Sequence, residues 1–187
     1  MSIYYGSPKK ALANREKFFK KIKINPKKLA EVKQIHGNKV IKIDNVPLEI
    51  IEADGLITNK DIYLMIKVAD CMAISFYDKA HKAIGLIHVG YRGLDNGIIK
   101  KAIKSLEKNY KTNPKALIVK FGPSIGPCHY RLDIWKEAEK QLIKTGVLPE
   151  NIDNPKICTY ENKNYFSHRR SVDKNQPEGR FVTIFGL

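Results

Sequence analysis

The sequence predicts an α+β fold, a single domain of mixed β-sheets flanked by helices, and three observations carry that expectation. Apolar segments of strand length dominate the chain, at residues 62–68 (IYLMIKV), 72–78 (MAISFYD), 82–89 (KAIGLIHV) and 115–122 (KALIVKFG). Helical spacing is confined to a few stretches between them, without the regular alternation of βαβ units. The length of 187 residues with 43% hydrophobic composition suits one well-buried core and falls short of what a second independent domain needs.

Taken in order, residues 9–22 are expected to be helical, with Leu12, Phe18, Phe19 and Ile22 gathering on one face. The run KKIKINPKK that follows is a solvated helix end and turn. KLAEVKQIHGNKVIKID reads as a strand, a turn at Gly37 and Asn38, and a second strand. Ala69, Asp70 and Cys71 break the apolar pattern between two strands, and the 82–89 strand follows after a short turn. Leu94, Ile98, Ala102 and Leu106 then fall at helical spacing, with Asp95 as N-cap and a helix end near Tyr110. A second amphipathic helix covers 132–144, and GRFVTIFGL supplies the last strand. No repeat or low-complexity segment interrupts this order.

The net charge of +15 would concentrate phosphates near the surface. Its distribution argues against a nucleic-acid partner. Lysines are scattered, only six of the 34 basic residues are arginine, and no helix-turn-helix, RNA-recognition or zinc-finger pattern is present. Three of those arginines, Arg92, Arg169 and Arg170, fall in motifs considered below. No stretch of roughly 18 apolar residues occurs and MSIYYGSPKK lacks a signal-type core, so a cytoplasmic protein without membrane insertion is expected. Cys71, Cys128 and Cys158 are too few and too dispersed for a secreted disulfide framework, which points to free thiols or a metal ligand.

His36, Cys71 and His88 all lie at breaks in strand pattern, separated by 35 and 17 residues. Such spacing excludes a local zinc knuckle and leaves a site assembled from separate elements, with soft donors suited to zinc or copper. Equally, Cys71 reads as a small buried residue and the histidines as satisfied by backbone hydrogen bonds. His81 falls in a solvated turn, Cys128 and His129 lie in SIGPCHY, whose Gly and Pro residues fix a bend that could border a site, and Cys158 reads as packing.

QIHGNKV, ADGLIT, VADCMAISFYD, AIGLIHVGYRGLDNGII and GPSIGPCHY appear in order, followed by CTYENKNYFSHRR and GRFVTIF. Together these blocks resemble the YfiH family, long labelled multicopper polyphenol oxidases or laccase-domain proteins and later understood as purine nucleoside phosphorylases. The resemblance spans roughly residues 11–187. It implies a YfiH-like fold related to the cytotoxic necrotizing factor-type deamidating toxins. It also implies that His36, Cys71 and His88 bind zinc with a fourth position open, and that purine nucleosides and phosphate are the substrates. The implied activities are phosphorolysis of adenosine, inosine and 5′-methylthioadenosine, with deamination of adenosine to inosine. Two departures bear on substrate preference: the N-terminal hairpin common in the family is expected to be shortened here, and the usual Trp of its HxGWRG motif is Tyr91.

On this reading Arg92, with Arg169 and Arg170, clamps phosphate; the latter two otherwise read as a solvated pair before a flexible stretch, SVDKNQPEG. Asp70, beside Cys71, shuttles a proton, and Asp54 either shares that role or orients a ligand histidine. Competing expectations are a copper-loaded polyphenol oxidase, a hydrolase with Cys71 as nucleophile and His88 as base, and a non-enzymatic polyanion-binding module.

Overall fold

The computed structural model describes residues 8–187. Its strands are β1 (Leu29–Lys33), β2 (Val40–Lys42), β3 (Ile51–Glu52), β4 (Gly55–Thr58), β5 (Tyr63–Val68), β6 (Met72–Asp78), β7 (Ala83–Val89), β8 (Ile118–Phe121), β9 (Ile152–Asp153) and β10 (Phe181–Phe185). The helices are α1 (Pro8–Lys21), α2 (Tyr91–Asp95), α3 (Ile98–Tyr110), α4 (Ile134–Lys144) and α5 (His168–Asp173). They build two mixed sheets: four strands in the order β10-β5-β1-β3, and six in the order β2-β4-β7-β6-β8-β9.

Period-2 alternation sorts the strands' side chains between two cores. Ile74 and Phe76 of β6 and Ile87 and Val89 of β7 pack with Ile98, Ile99, Ile103 and Leu106 of α3 and Leu142 of α4. On the opposite face, Ile84 and Leu86 meet Leu64, Ile66 and Val68 of the four-stranded sheet. Met65 and Leu29 face outward from that smaller sheet and are covered by Phe19 of α1. Every residue of β7 is buried, because both of its faces are covered. Its alternation puts His88 on the side between the two sheets.

Three sequence expectations are corrected. Residues 29–42 hold the two expected strands, but the bend between them falls at His36 and Gly37, and the strands do not pair with each other: β1 and β2 belong to different sheets, each pairing in parallel with another strand. A two-residue type I′ turn would need positive φ at both central residues, yet the positive φ here is at His36 (59°) and not at Gly37 or Asn38. The helix expected to start at Asp95 is two helices, with Asp95 ending α2 and left-handed Gly97 (φ 72°) preceding α3. The stretch expected to be flexible is partly helical, since α5 extends to Asp173 behind Ser167, whose hydroxyl accepts from the Arg170 N–H. The helix expected over 132–144 forms as α4, capped by the Asp133 carboxylate at the Lys136 N–H.

Candidate metal centre and active-site cavity

Asp54 organises the centre. It follows β3, has no solvent exposure, and its carboxylate accepts from the N–H groups of Ile35, His36 (2.9 Å) and Gly37 (2.7 Å) and from His88 Nδ1 (2.8 Å). Burial works against its charge, but His88 and then the Gly37 and His36 N–H groups hold the carboxyl below the usual range. That web explains the left-handed His36, whose backbone turns its N–H toward the carboxylate. It also orients His88: Nδ1 carries the proton toward Asp54, which leaves the other ring nitrogen for Cys71.

Cys71 supplies the third corner. It sits in the crossing from β5 in one sheet to β6 in the other, after left-handed Asp70 (φ 82°). Donor atoms of His36, Cys71 and His88 lie within 4.8 Å of one another, and the imidazole rings meet edge to face at 4.7 Å. Burial opposes charge on the thiol, but hydrogen bonds with His36 and His88 draw Cys71 down to about 6. Burial likewise opposes charge on His88, and Asp54 and then Cys71 push it up to about 9. Gly90 leaves room for the sulfur, since a Cβ there would stand 2.9 Å from Cys71 Sγ. Two imidazoles and a thiolate from three elements are a donor set that fits zinc, and all three residues line the cavity.

The cavity in front of these donors has a volume of about 610 Å³. Ile125, Tyr130 and Ile134 form an apolar wall, while Lys67, Arg92, His168, Arg169 and Arg180 bring positive or protonatable groups to its rim. Arg92 is exposed, and its Nε donates to the Tyr91 hydroxyl at 3.1 Å. Asp70 is the one carboxylate among the described lining residues. Its oxygens accept from the Thr159 hydroxyl (2.7 Å) and the Arg169 N–H (2.6 Å), so it ties the start of α5 to the cavity wall.

The two adjacent arginines diverge. Arg169 lines the cavity, whereas the Arg170 guanidinium donates to the carbonyls of Thr159, Tyr160 (2.8 Å) and Tyr165 and does not line it. The expected clamp therefore retains Arg169 and loses Arg170 to backbone support. His81 bonds Asp78 at 2.8 Å, away from the lining. Cys128 and His129 also lie outside the lining and form a cluster with Glu161. Tyr130 and Lys67 were not among the sequence candidates. Tyr130 directly follows SIGPCH and was signalled only by that motif, and nothing in the sequence marks Lys67.

The family model described as multi-copper polyphenol oxidoreductase laccase matches residues 5–133 and 129–187. A purine nucleoside phosphorylase of Borreliella burgdorferi is 33% identical over 172 residues, covering 77% of this chain and 75% of the relative. The purine nucleoside phosphorylase YfiH of Escherichia coli is 26% identical over 192 residues, covering 87% and 75%. Among solved structures, the Bacillus licheniformis protein YfiH superposes with a TM-score of 0.87 at 23% identity, covering 94% of this chain and 80% of that one. YlmD of Geobacillus stearothermophilus gives 0.86 at 23% identity, covering 92% and 78%. With fold, motif order and sequence in agreement, the chain belongs to the YfiH family of multi-copper polyphenol oxidoreductase laccase proteins.

Proposed function

We propose that this chain is a zinc-dependent purine nucleoside phosphorylase that cleaves adenosine, inosine and 5′-methylthioadenosine with phosphate to the free base and the corresponding ribose 1-phosphate. The observation that carries the reading is the placement of His36, Cys71 and His88 at the floor of a cavity whose rim holds Arg92 and Arg169. Its relatives in Borreliella burgdorferi and Escherichia coli are purine nucleoside phosphorylases by name, which supports the same activity.

Phosphorolysis develops positive charge on the sugar and negative charge on the departing base, so fixed cations and proton donors are the useful groups. Arg92 and Arg169 hold phosphate, each able to bind two of its oxygens. The apolar wall of Ile125, Tyr130 and Ile134 receives the purine and excludes water. His36, Cys71 and His88 would hold the metal, which supplies Lewis acidity toward a substrate or water oxygen when bound. We also propose deamination of adenosine, in which adenosine and water give inosine and ammonia, and assign its proton transfer to Asp70. Its oxygens keep acceptor capacity beyond the Thr159 and Arg169 bonds.

The family-model description favours a polyphenol oxidase as the second reading. A multicopper site needs a histidine-rich trinuclear cluster besides a Cys–His centre, and the chain has five histidines in all. Copper in the zinc position would give slow phenol oxidation at most. Zinc-loaded protein incubated with adenosine, with and without phosphate, separates the readings. Phosphate-dependent adenine that is lost in His88→Ala is expected. Phenol oxidation by copper-loaded protein without adenine or inosine formation would overturn the proposal, as would no turnover from folded, metal-replete protein.

A further inference from the structure

A second donor cluster lies on the surface, outside the cavity. Cys128 and His129 sit in the turn at residues 127–130, and Glu161 in the turn at 158–162. One donor atom from each falls within 4.8 Å of the other two. Cys158 Sγ is 3.6 Å from Cys128 Sγ. Two thiolates on one zinc stand about 3.8 Å apart, given a tetrahedral site with Zn–S near 2.3 Å. We propose that Cys128, His129 and Glu161 form a second zinc site that staples these two turns together; Cys158 lies outside that 4.8 Å group and, beside Cys128, is the thiolate nearest to the fourth position.

Three further observations favour a built site over chance proximity. The turns are already locked to one another: Ser124 bridges Cys158, the Ser124 N–H donates to the Ile157 carbonyl (3.1 Å), and the Thr159 N–H donates to the Ser124 carbonyl (3.0 Å). The His129 ring is held by stacking on Tyr160, with centroids 3.8 Å apart at 20°. The Cys158 sulfur accepts the Gly126 N–H at 3.3 Å, the kind of outer hydrogen bond that supports a ligating thiolate. Without metal, protons fill the centre: Cys128 faces Cys158 sulfur to sulfur, and His129 Nε2 is hydrogen-bonded to Glu161. Zinc takes the place of those protons, so binding releases them and weakens on acidification.

The donor set is soft enough for zinc, and the two thiolates and the carboxylate offset its charge. Stapling here acts on the cavity indirectly. Tyr130 lines the cavity one residue beyond His129, and Thr159 holds Asp70 one residue beyond Cys158.

The test is metal content after zinc loading under a phosphine reductant, which keeps Cys128 and Cys158 reduced. Two zinc ions per wild-type chain are expected, falling to one in Cys128→Ser and in the surface variant His129→Ala. Zinc should also raise the melting temperature of a Cys71→Ser variant, and that rise should vanish when Cys128→Ser is added. Loss of one equivalent in Cys128→Ser supports this site even if Cys71→Ser loses none. The proposal is overturned by a zinc content that neither Cys128→Ser nor His129→Ala changes, whether the wild type holds one ion or two.

Discussion

The centre at His36, Cys71 and His88 and the cluster at Cys128, His129 and Glu161 draw on the same donor chemistry but differ in what stands behind the donors. Behind the first is a carboxylate with no solvent exposure that accepts four N–H groups, so backbone and imidazole are both held before any ligand arrives. Behind the second are two turns joined by backbone hydrogen bonds, one of which is held by Arg170 at the Thr159 and Tyr160 carbonyls. The first opens into a cavity; the second lies outside it. A donor set becomes reactive where burial and outer hydrogen bonds leave one side accessible, and structural where its donors fill every side.

The largest effect that separates the two clusters is expected from Asp54→Asn. An amide facing buried N–H donors leaves at least two of them unpaired, at about 1–3 kcal/mol each. A loss of about 3 kcal/mol or more should appear in urea unfolding, together with a roughly 10–100-fold weaker metal affinity at the cavity and no change at the surface cluster. Unchanged stability would show that Asp54 is not the organiser of the centre.

Arg170→Ala works on the other side of the comparison. Removing its bonds to three carbonyls should cost about 2–3 kcal/mol and weaken zinc at the surface cluster while sparing the cavity centre. Arg169→Ala should do the reverse, with stability within about 0.5 kcal/mol and a KM for phosphate raised about tenfold. If both variants behave alike in unfolding and in phosphate kinetics, the assignment of the two arginines is wrong.

Gly90→Ala gives a finer probe. Its Cβ would press on Cys71 Sγ from 2.9 Å, so metal affinity at the cavity should drop about tenfold, or about 1.4 kcal/mol, with the surface cluster untouched. Metal titration reads this directly, and an unchanged affinity would show that the thiol has room to shift.

The smallest effect is a control for acid titrations of either cluster. Glu31 pairs with Arg15 at 2.7 Å and Lys67 at 3.0 Å. Burial opposes its charge, but these partners together hold its carboxyl below the ordinary 4.5. Its contribution is therefore present above about 4.5 and is lost as pH falls through the lower folded value. Glu31→Gln should remove about 1 kcal/mol at neutral pH and flatten the acid limb of the stability curve without changing metal content at neutral pH. An acid limb identical to wild type would assign that limb to other groups.

The strands and the amphipathic faces were legible in the sequence because their periodicity is local. MAISFYD is β6 residue for residue, and Ile98, Ala102 and Leu106 all pack on the helix side of the six-stranded sheet. His36, Cys71 and His88 could be picked out as donors at strand ends, since side-chain chemistry and pattern breaks are written in the chain itself. Tertiary structure alone decided that Asp54 would gather the turn at 35–37, because a buried carboxylate selects whichever N–H groups the fold delivers to it. It alone sent β1 and β2 into different sheets, aimed neighbouring Arg169 and Arg170 in different directions, and brought Glu161 to Cys128 and His129. The strand pairings and the contacts of Glu161 and Arg169 join residues some 15 to 100 positions apart, which packing of two sheets creates and no local pattern encodes.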